Sequence, residues 1–140
     1  MTCTFFGHRR IKADMRDELK ELIMRLIDDY DTKQFLVGNN GAFDALVQGV
    51  LDEICRTRDD VSYSIVLSYV DELALSGDQH ATIFPEGLEY VPRRFAISKR
   101  NEWLIKSSDY VIAYVKYSVS NSFRWTEKAM KKGLIVFNLA

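Results

Sequence analysis

RFAISKRNEWLIKSSDYVIAYVKYSVSNSFRWTE, residues 94–127, is the stretch from which the fold is read. It runs as helix, apolar strand, short polar turn, helix. The strand, Asp109 to Val115, is a near-continuous apolar run between polar residues, the pattern of a parallel strand covered on both faces. In open α/β sheets, ligands sit in the crevice beyond the carboxyl ends of such strands. Ala96, Ile97, Trp103 and Leu104 set the apolar stripe of the preceding helix, and Arg100 falls three to four residues from each of them. Arg100 therefore shares the packed face, while Lys99, Glu102 and Lys106 point to water. An inward arginine needs a partner, because a buried charge that loses its partner costs about 3 to 5 kcal/mol. The partner is either a carboxylate of the chain or an anionic ligand.

Toward the amino end the same alternation repeats. Thr2 to Phe6 is rich in strand formers and stops at Gly7-His8-Arg9-Arg10. A strand followed at once by glycine and basic residues suits the first βα turn of a Rossmann-like sheet, where backbone N–H groups and an arginine fork can hold a phosphate. A tight turn with two solvated arginines explains the same residues. From near Asp14, the residues Met15, Leu19, Leu22, Ile23, Leu26, Ile27 and Tyr30 fall on one helical face, with charges opposite. Gln34 to Val37 is a short strand, and Gly38-Asn39-Asn40-Gly41 is a sharp turn of residues that tolerate positive φ. The next helix carries Phe43, Leu46, Val47, Val50, Leu51 and Ile54 on one stripe. At its amino end Asp44 either caps the helix or accepts from a sugar hydroxyl.

Val61 to Val70 alternates small polar and apolar residues and reads as a third strand. Asp71 to Tyr90 has no clear period and reads as a long loop able to cover a ligand; His80 and Glu86 lie in it. Pro92 is placed at a first helical turn. After the Asp109–Val115 strand, Ser118 to Ser122 form a turn, Phe123 to Lys132 a helix ended by Gly133, and Leu134 to Leu139 a last strand. Five strands alternating with helices predict one α/β domain over residues 1–140, a three-layer α/β/α sandwich on a mostly parallel sheet.

The totals exclude several classes. With 19 Lys+Arg against 20 Asp+Glu, the formal net charge is −1, which counts against a general nucleic-acid binder. Cys3 and Cys55 read as small core residues, not a disulfide framework. With two Cys and two His far apart, no metal site is expected. No run reaches the length needed to span a bilayer and no signal peptide opens the chain, so a cytoplasmic protein is expected.

FFGHRR, VGNNGAFDALV and PRRFAISKRNEWLIKSSDYVIAYV together resemble small bacterial members of the SLOG superfamily, which includes the Lonely Guy phosphoribohydrolases and the DNA-processing protein A domain. The resemblance covers nearly the whole chain. It implies a Rossmann-like fold, a nucleotide-like small-molecule ligand, no bound cofactor and a homodimer. In Lonely Guy enzymes a helix-borne arginine precedes the strand leading to a G-G-x-G-T-x-x-E motif, whose glycines bind phosphate and whose glutamate acts at the glycosidic bond. By position, Arg100 matches that arginine and Glu127 that glutamate, making these the two candidate catalytic residues. Gly7, His8, Arg9, Gly38, Asn39, Gly41, Asp44, Ser120, Asn121 and Ser122 would line the ligand crevice. The stretch Ser120 to Glu127 reads SNSFRWTE. Ser120 and Asn121 replace the leading glycines, and Phe123-Arg124 replaces the following G-T.

That departure favours a nucleotide-binding, sensing domain over an enzyme. The alternative is a hydrolase that cleaves the N-glycosidic bond of a nucleotide, Glu127 stabilising an oxocarbenium-like sugar and orienting water while Arg100 holds phosphate or carboxylate. A structural ion pair between Arg100 and Glu127 gives the same sequence signature. Single-stranded DNA binding, by analogy with the DNA-processing protein A domain, is a weaker reading: the net charge and the lack of a basic stripe count against it, although Arg93, Arg94, Lys99 and Arg100 cluster. An exposed Trp103 or Trp125 would support the dimer.

Overall fold

The structure is a computed structural model and describes residues 1–11, 14–69 and 81–140. In chain order the elements are β1 (Thr2–Gly7), α1 (Arg16–Asp29), β2 (Gln34–Val37), α2 (Ala42–Thr57), β3 (Ser62–Val66) and β4 (Ala81–Ile83). A 3-10 turn over Leu88–Tyr90 follows, then α3 (Arg93–Ser107), β5 (Tyr110–Tyr114), α4 (Asn121–Lys131) and β6 (Ile135–Asn138). The strands form one sheet in the order β4-β3-β2-β1-β5-β6, and all five pairings are parallel. The chain builds outward from β1 in one direction, then returns to its other side at β5. The topological switch point therefore lies between β1 and β5, where α/β sheets open a crevice.

Alternation along each strand divides the core into two layers. Cys3, Phe5, Phe35, Val37, Ile65 and Ile112 pack with the apolar stripes of α1 and α2 on one face. Phe6, Leu36, Val66, Val111 and Ala113 pack with Leu104 and Ile105 of α3 and Ala129 of α4 on the other. β5 is buried along its whole length, as a central parallel strand covered on both faces must be. The expected Rossmann-like three-layer α/β/α architecture is present.

Four details differ from the expectation. The sheet has six strands, not five. β4 is only three residues, Ala81-Thr82-Ile83, too short to carry a period, and it falls within the stretch Asp71 to Tyr90 read as a loop. The third strand stops at Val66; Val70, His80 and the loop portion 71–80 lie outside the described residues. Pro92 is the N-cap of α3, not a residue of its first turn, and α4 begins at Asn121 because the Ser120 hydroxyl accepts from the Phe123 N–H at 3.1 Å. Gly133 takes φ +93° just past α4, in keeping with its predicted role as a stop. No helix among the described residues is long and apolar enough to cross a membrane.

Candidate functional site

At the carboxyl ends of β1 and β2 a solvent-open cleft of about 690 Å³ lies between the turns that follow these strands and the helices α3 and α4. Phe6, Leu104 and Trp125 belong to the α3/α4 layer of the core and give the cleft an apolar wall. Phe6 and Trp125 stack with ring centroids 6.4 Å apart. Polar groups make up much of the remaining lining: Gly7, His8, Arg9, Gly38, Asn40, Asp44 and Arg100, with Ser120 to Ser122 at the start of α4.

Arg100 is the buried charge of the site, 4% exposed, on the inward face that helical spacing assigned to it. Its Nε donates to Asn101 Oδ1 at 3.1 Å and its Nη1 to the Val66 carbonyl at 3.3 Å, so the guanidinium spans from α3 to the end of β3. With the Asn40 amide turned oxygen-first, that oxygen accepts from Nη1 at 3.0 Å and from Nη2 at 3.3 Å. Gly38 makes this position accessible: a Cβ there would stand 2.8 Å from Arg100 Nη1 and 2.8 Å from Asp44 Oδ2. No larger residue leaves room for both groups.

Asp44 accepts from the Asn40 N–H through Oδ2 at 2.9 Å, the reach-back of an acidic side chain in the first turn of a helix. The carboxylate thus fastens the turn that precedes α2 to its first turn, and Asp44 also lines the cleft. Burial pushes its carboxyl above the usual range, opposed by the Asn40 N–H and the nearby Arg100 charge.

The remaining predicted residues divide. His8 lines the cleft, but its ring is engaged: Nε2 accepts from the Lys116 N–H at 2.8 Å, and the ring packs against Tyr114 and Tyr117. Gly7 also lines it, for a reason different from phosphate approach: a Cβ there would overlap the Phe43 ring. The signal was hidden because Phe43 lies on α2, three elements further along the chain. Ser122 Oγ donates to the Gly7 carbonyl at 2.8 Å, tying the start of α4 to the end of β1. Ser120 caps α4 and donates to the Tyr117 carbonyl at 2.8 Å. Asn121 and Arg9 line the cleft. Asn39 and Gly41 do not: Asn39 is exposed, and its neighbour Asn40 takes the expected place. Gly41, at φ +99°, is the N-cap position of α2, and the following Ala42 N–H donates to the Arg9 carbonyl at 2.8 Å.

Glu127 is not brought to Arg100. It is exposed on α4, outside the cleft lining, and no ion pair among the described residues involves it. Asn121, Arg124, Trp125 and Lys128 occupy the helix face toward the cleft, and Glu127 lies roughly a third of a turn away from that face. Among the described residues, the carboxylate that lines the cleft is Asp44. His80 lies outside the described residues, and Glu86 is exposed and does not line the cleft. Trp103 and Trp125 are half-buried against the core, so neither presents the exposed indole that would mark a dimer face. Among the described residues no group of three or more His, Cys, Asp or Glu side chains is placed to hold a metal.

Arg94, Arg124 and Lys128 join Arg9 and Arg100 around the cleft. Arg94 and Lys128 were not among the expected site residues. Helical spacing puts Arg124 and Lys128 on one side of α4, but only the packing of α4 against β1 shows which side faces the opening.

No protein-family model matches the sequence, and no curated protein matches it. Among solved structures, DNA processing protein A from Streptococcus pneumoniae has the same fold, with a TM-score of 0.70 at 14% sequence identity. The alignment covers 98% of this chain and 49% of that one, so this chain spans about half the length of its structural neighbour. The likeness establishes the class: a Rossmann-like α/β domain of the architecture found in DNA processing protein A.

Proposed function

We propose that this domain binds a nucleotide or nucleotide derivative, as a sensing module of the SLOG type, in the cleft beyond β1 and β2. One observation carries the reading. One cleft joins the apolar side chains of Phe6, Leu104 and Trp125 to polar groups that include a buried arginine. A cavity with both kinds of lining accepts a flat base and an anion. The location, at the switch point of a parallel sheet, agrees with it.

Hydrolysis of an N-glycosidic bond by Arg100 and Glu127 is the competing reading. The buried Arg100 in the cleft favours it, and the exposed position of Glu127 counts against it. Single-stranded DNA enters through the name of the structural neighbour and the cations of the cleft; the net charge of −1 counts against it.

A thermal-shift screen against nucleoside mono-, di- and triphosphates, cyclic nucleotides, NAD and ADP-ribose tests the proposal. A ligand at a hundred times its dissociation constant stabilises the folded state by about 2.7 kcal/mol, which a melt resolves. The expected result is a clear shift that is lost in Arg100→Ala. Release of free base by wild type but not by Glu127→Gln would transfer the reading to the hydrolase. Absence of a shift with every nucleotide would overturn it. A salt-sensitive gel shift with single-stranded DNA would favour the third reading, and light scattering tests the dimer that the resemblance implies.

A further inference from the structure

Asp44 has one carboxylate oxygen engaged and one that is not. Oδ2 accepts from the Asn40 N–H at 2.9 Å. Among the described residues Oδ1 accepts no hydrogen bond and joins no ion pair. Nor is it sealed inside the fold, as the unpartnered Thr32 Oγ1 is. It is therefore open to the cleft that Asp44 lines, although the residue is only 9% exposed. A carboxylate oxygen so placed loses most of its hydration and gains no hydrogen bond within the chain in return. A donor brought by a ligand would supply that bond.

The surroundings hold this acceptor in position. Arg100 donates to Asn101, to the Val66 carbonyl and, with the Asn40 amide turned oxygen-first, to Asn40. Asn40 in turn holds Asp44 Oδ2 through its own N–H. The buried guanidinium thus acts within the chain and positions the pair of Asn40 and Asp44. Gly38 leaves the carboxylate its room, since a Cβ there would stand 2.8 Å from Oδ2. An acceptor fixed before the ligand arrives discriminates well, because little ordering is left to be done on binding.

Of the three parts of a nucleotide, two do not suit Oδ1. Phosphate oxygens are acceptors and carry negative charge, so a carboxylate repels them. The base is matched by Phe6, Leu104 and Trp125, which belong to the α3/α4 layer of the core. Asp44 comes from α2, which packs in the other layer. The sugar remains, with hydroxyls that are neutral donors lying between base and phosphate.

We infer that Asp44 is a specificity-determining residue of the cleft, its Oδ1 accepting a hydrogen bond from a sugar hydroxyl of the bound nucleotide. This rests on the nucleotide reading above and narrows it to ligands with a free ribose hydroxyl. Sugars inside a DNA strand lack the 2′-hydroxyl and carry their 3′-oxygens in phosphodiester bonds. No internal nucleotide of such a strand supplies the donor.

The test is calorimetric titration of the whole protein with the mono-, di- and triphosphates of adenosine and guanosine. The tightest of the six is then compared with its 2′-deoxy and 3′-deoxy counterparts. At least one counterpart is expected to bind about tenfold or more weakly, and which one it is assigns the donor. Asp44→Asn keeps an oxygen for the Asn40 N–H and puts an amide group where Oδ1 stood. In this variant the factor should fall below about threefold, a change of ratio that general destabilisation would not produce. Both counterparts binding as tightly as the parent would overturn this inference and leave the nucleotide reading standing. That comparison uses wild-type protein and decides the matter even if Asp44→Asn fails to fold. A factor unchanged in a folded Asp44→Asn would also overturn it, by placing the hydroxyl elsewhere. No binding of any of the six nucleotides to protein that melts cooperatively would overturn both.

Discussion

Arg100→Met keeps the length of the side chain and removes its charge, leaving Asp44 in the cleft wall with 9% of its surface exposed. Arg100 Nη1 and Asp44 Oδ2 each lie 2.8 Å from the point where a Gly38 Cβ would sit, so they are separated by at most twice 2.8 Å, 5.6 Å. Opposite charges at that distance attract by about 3 kcal/mol at an effective dielectric near 20, in line with the 3 to 5 kcal/mol cost of breaking a buried pair. A loss of about 3 kcal/mol at neutral pH is therefore expected. The Val66 carbonyl and Asn101 also lose a donor, a further loss that does not vary with pH. The Asp44 part does. Burial already raises its carboxyl and Arg100 opposes the rise, so removing Arg100 lets it rise further. A carboxyl whose folded value exceeds its unfolded one binds more protons folded than unfolded, and stability falls as pH rises between the two values. Arg100→Met should thus lose stability more steeply than wild type as pH rises from about 4, by at most about 1.4 kcal/mol per unit. Urea unfolding followed by tryptophan fluorescence across pH 4 to 8 measures this. In Arg100→Met/Asp44→Asn the extra slope should vanish and part of the neutral-pH loss should return. If Arg100→Met shows the wild-type pH profile, or the extra slope persists in the double variant, Arg100 does not compensate Asp44 and the reasoning fails.

Gly7→Ala forces the Phe43 ring aside and should cost about 1 to 3 kcal/mol, read as a lower urea midpoint at unchanged slope. Leu104→Ala empties a fully buried position under α3 and should cost about 2 to 5 kcal/mol. Ser120→Ala removes the α4 cap at about 1 kcal/mol, with faster amide exchange confined to the first turn of α4. Glu127→Gln, exposed and outside the cleft, should leave the nucleotide-induced melting shift at its wild-type size; a shift cut by half or more would put Glu127 back in the site.

The strands whose residues are apolar on both faces, and the helices with one clean stripe, were legible because burial imposes a period on sequence. β2 has the predicted limits, and Arg100 is inward because its i±3 and i±4 neighbours are. β4 escaped because three residues carry no period. The cleft was only half legible. Residues in the turns after β1 and β2 could be named from the topology alone. Arg94, Asn101 and Lys128 face the same space because α3 and α4 cross the sheet at a particular place, a fact of packing that no single helix records. Glu127 went astray for a related reason. The spacing to the loop was right, but Ser120 starts α4 so that Asn121, Arg124, Trp125 and Lys128 take the inner face.

Placing β1 in the interior of the sheet also governs how the chain can reach its fold. Cys3 pairs with Phe35 on one side and with Tyr110 on the other. The first strand thus keeps an open edge until β5, which follows β4 and α3 in the chain, has been made. Contacts between residues so distant in sequence are slow to form, and an unpaired apolar strand invites association with other chains. Synthesis of β5 and then of α4 closes the sheet at the switch point, so the cleft is completed late, after β1 to β4 have had time to pair.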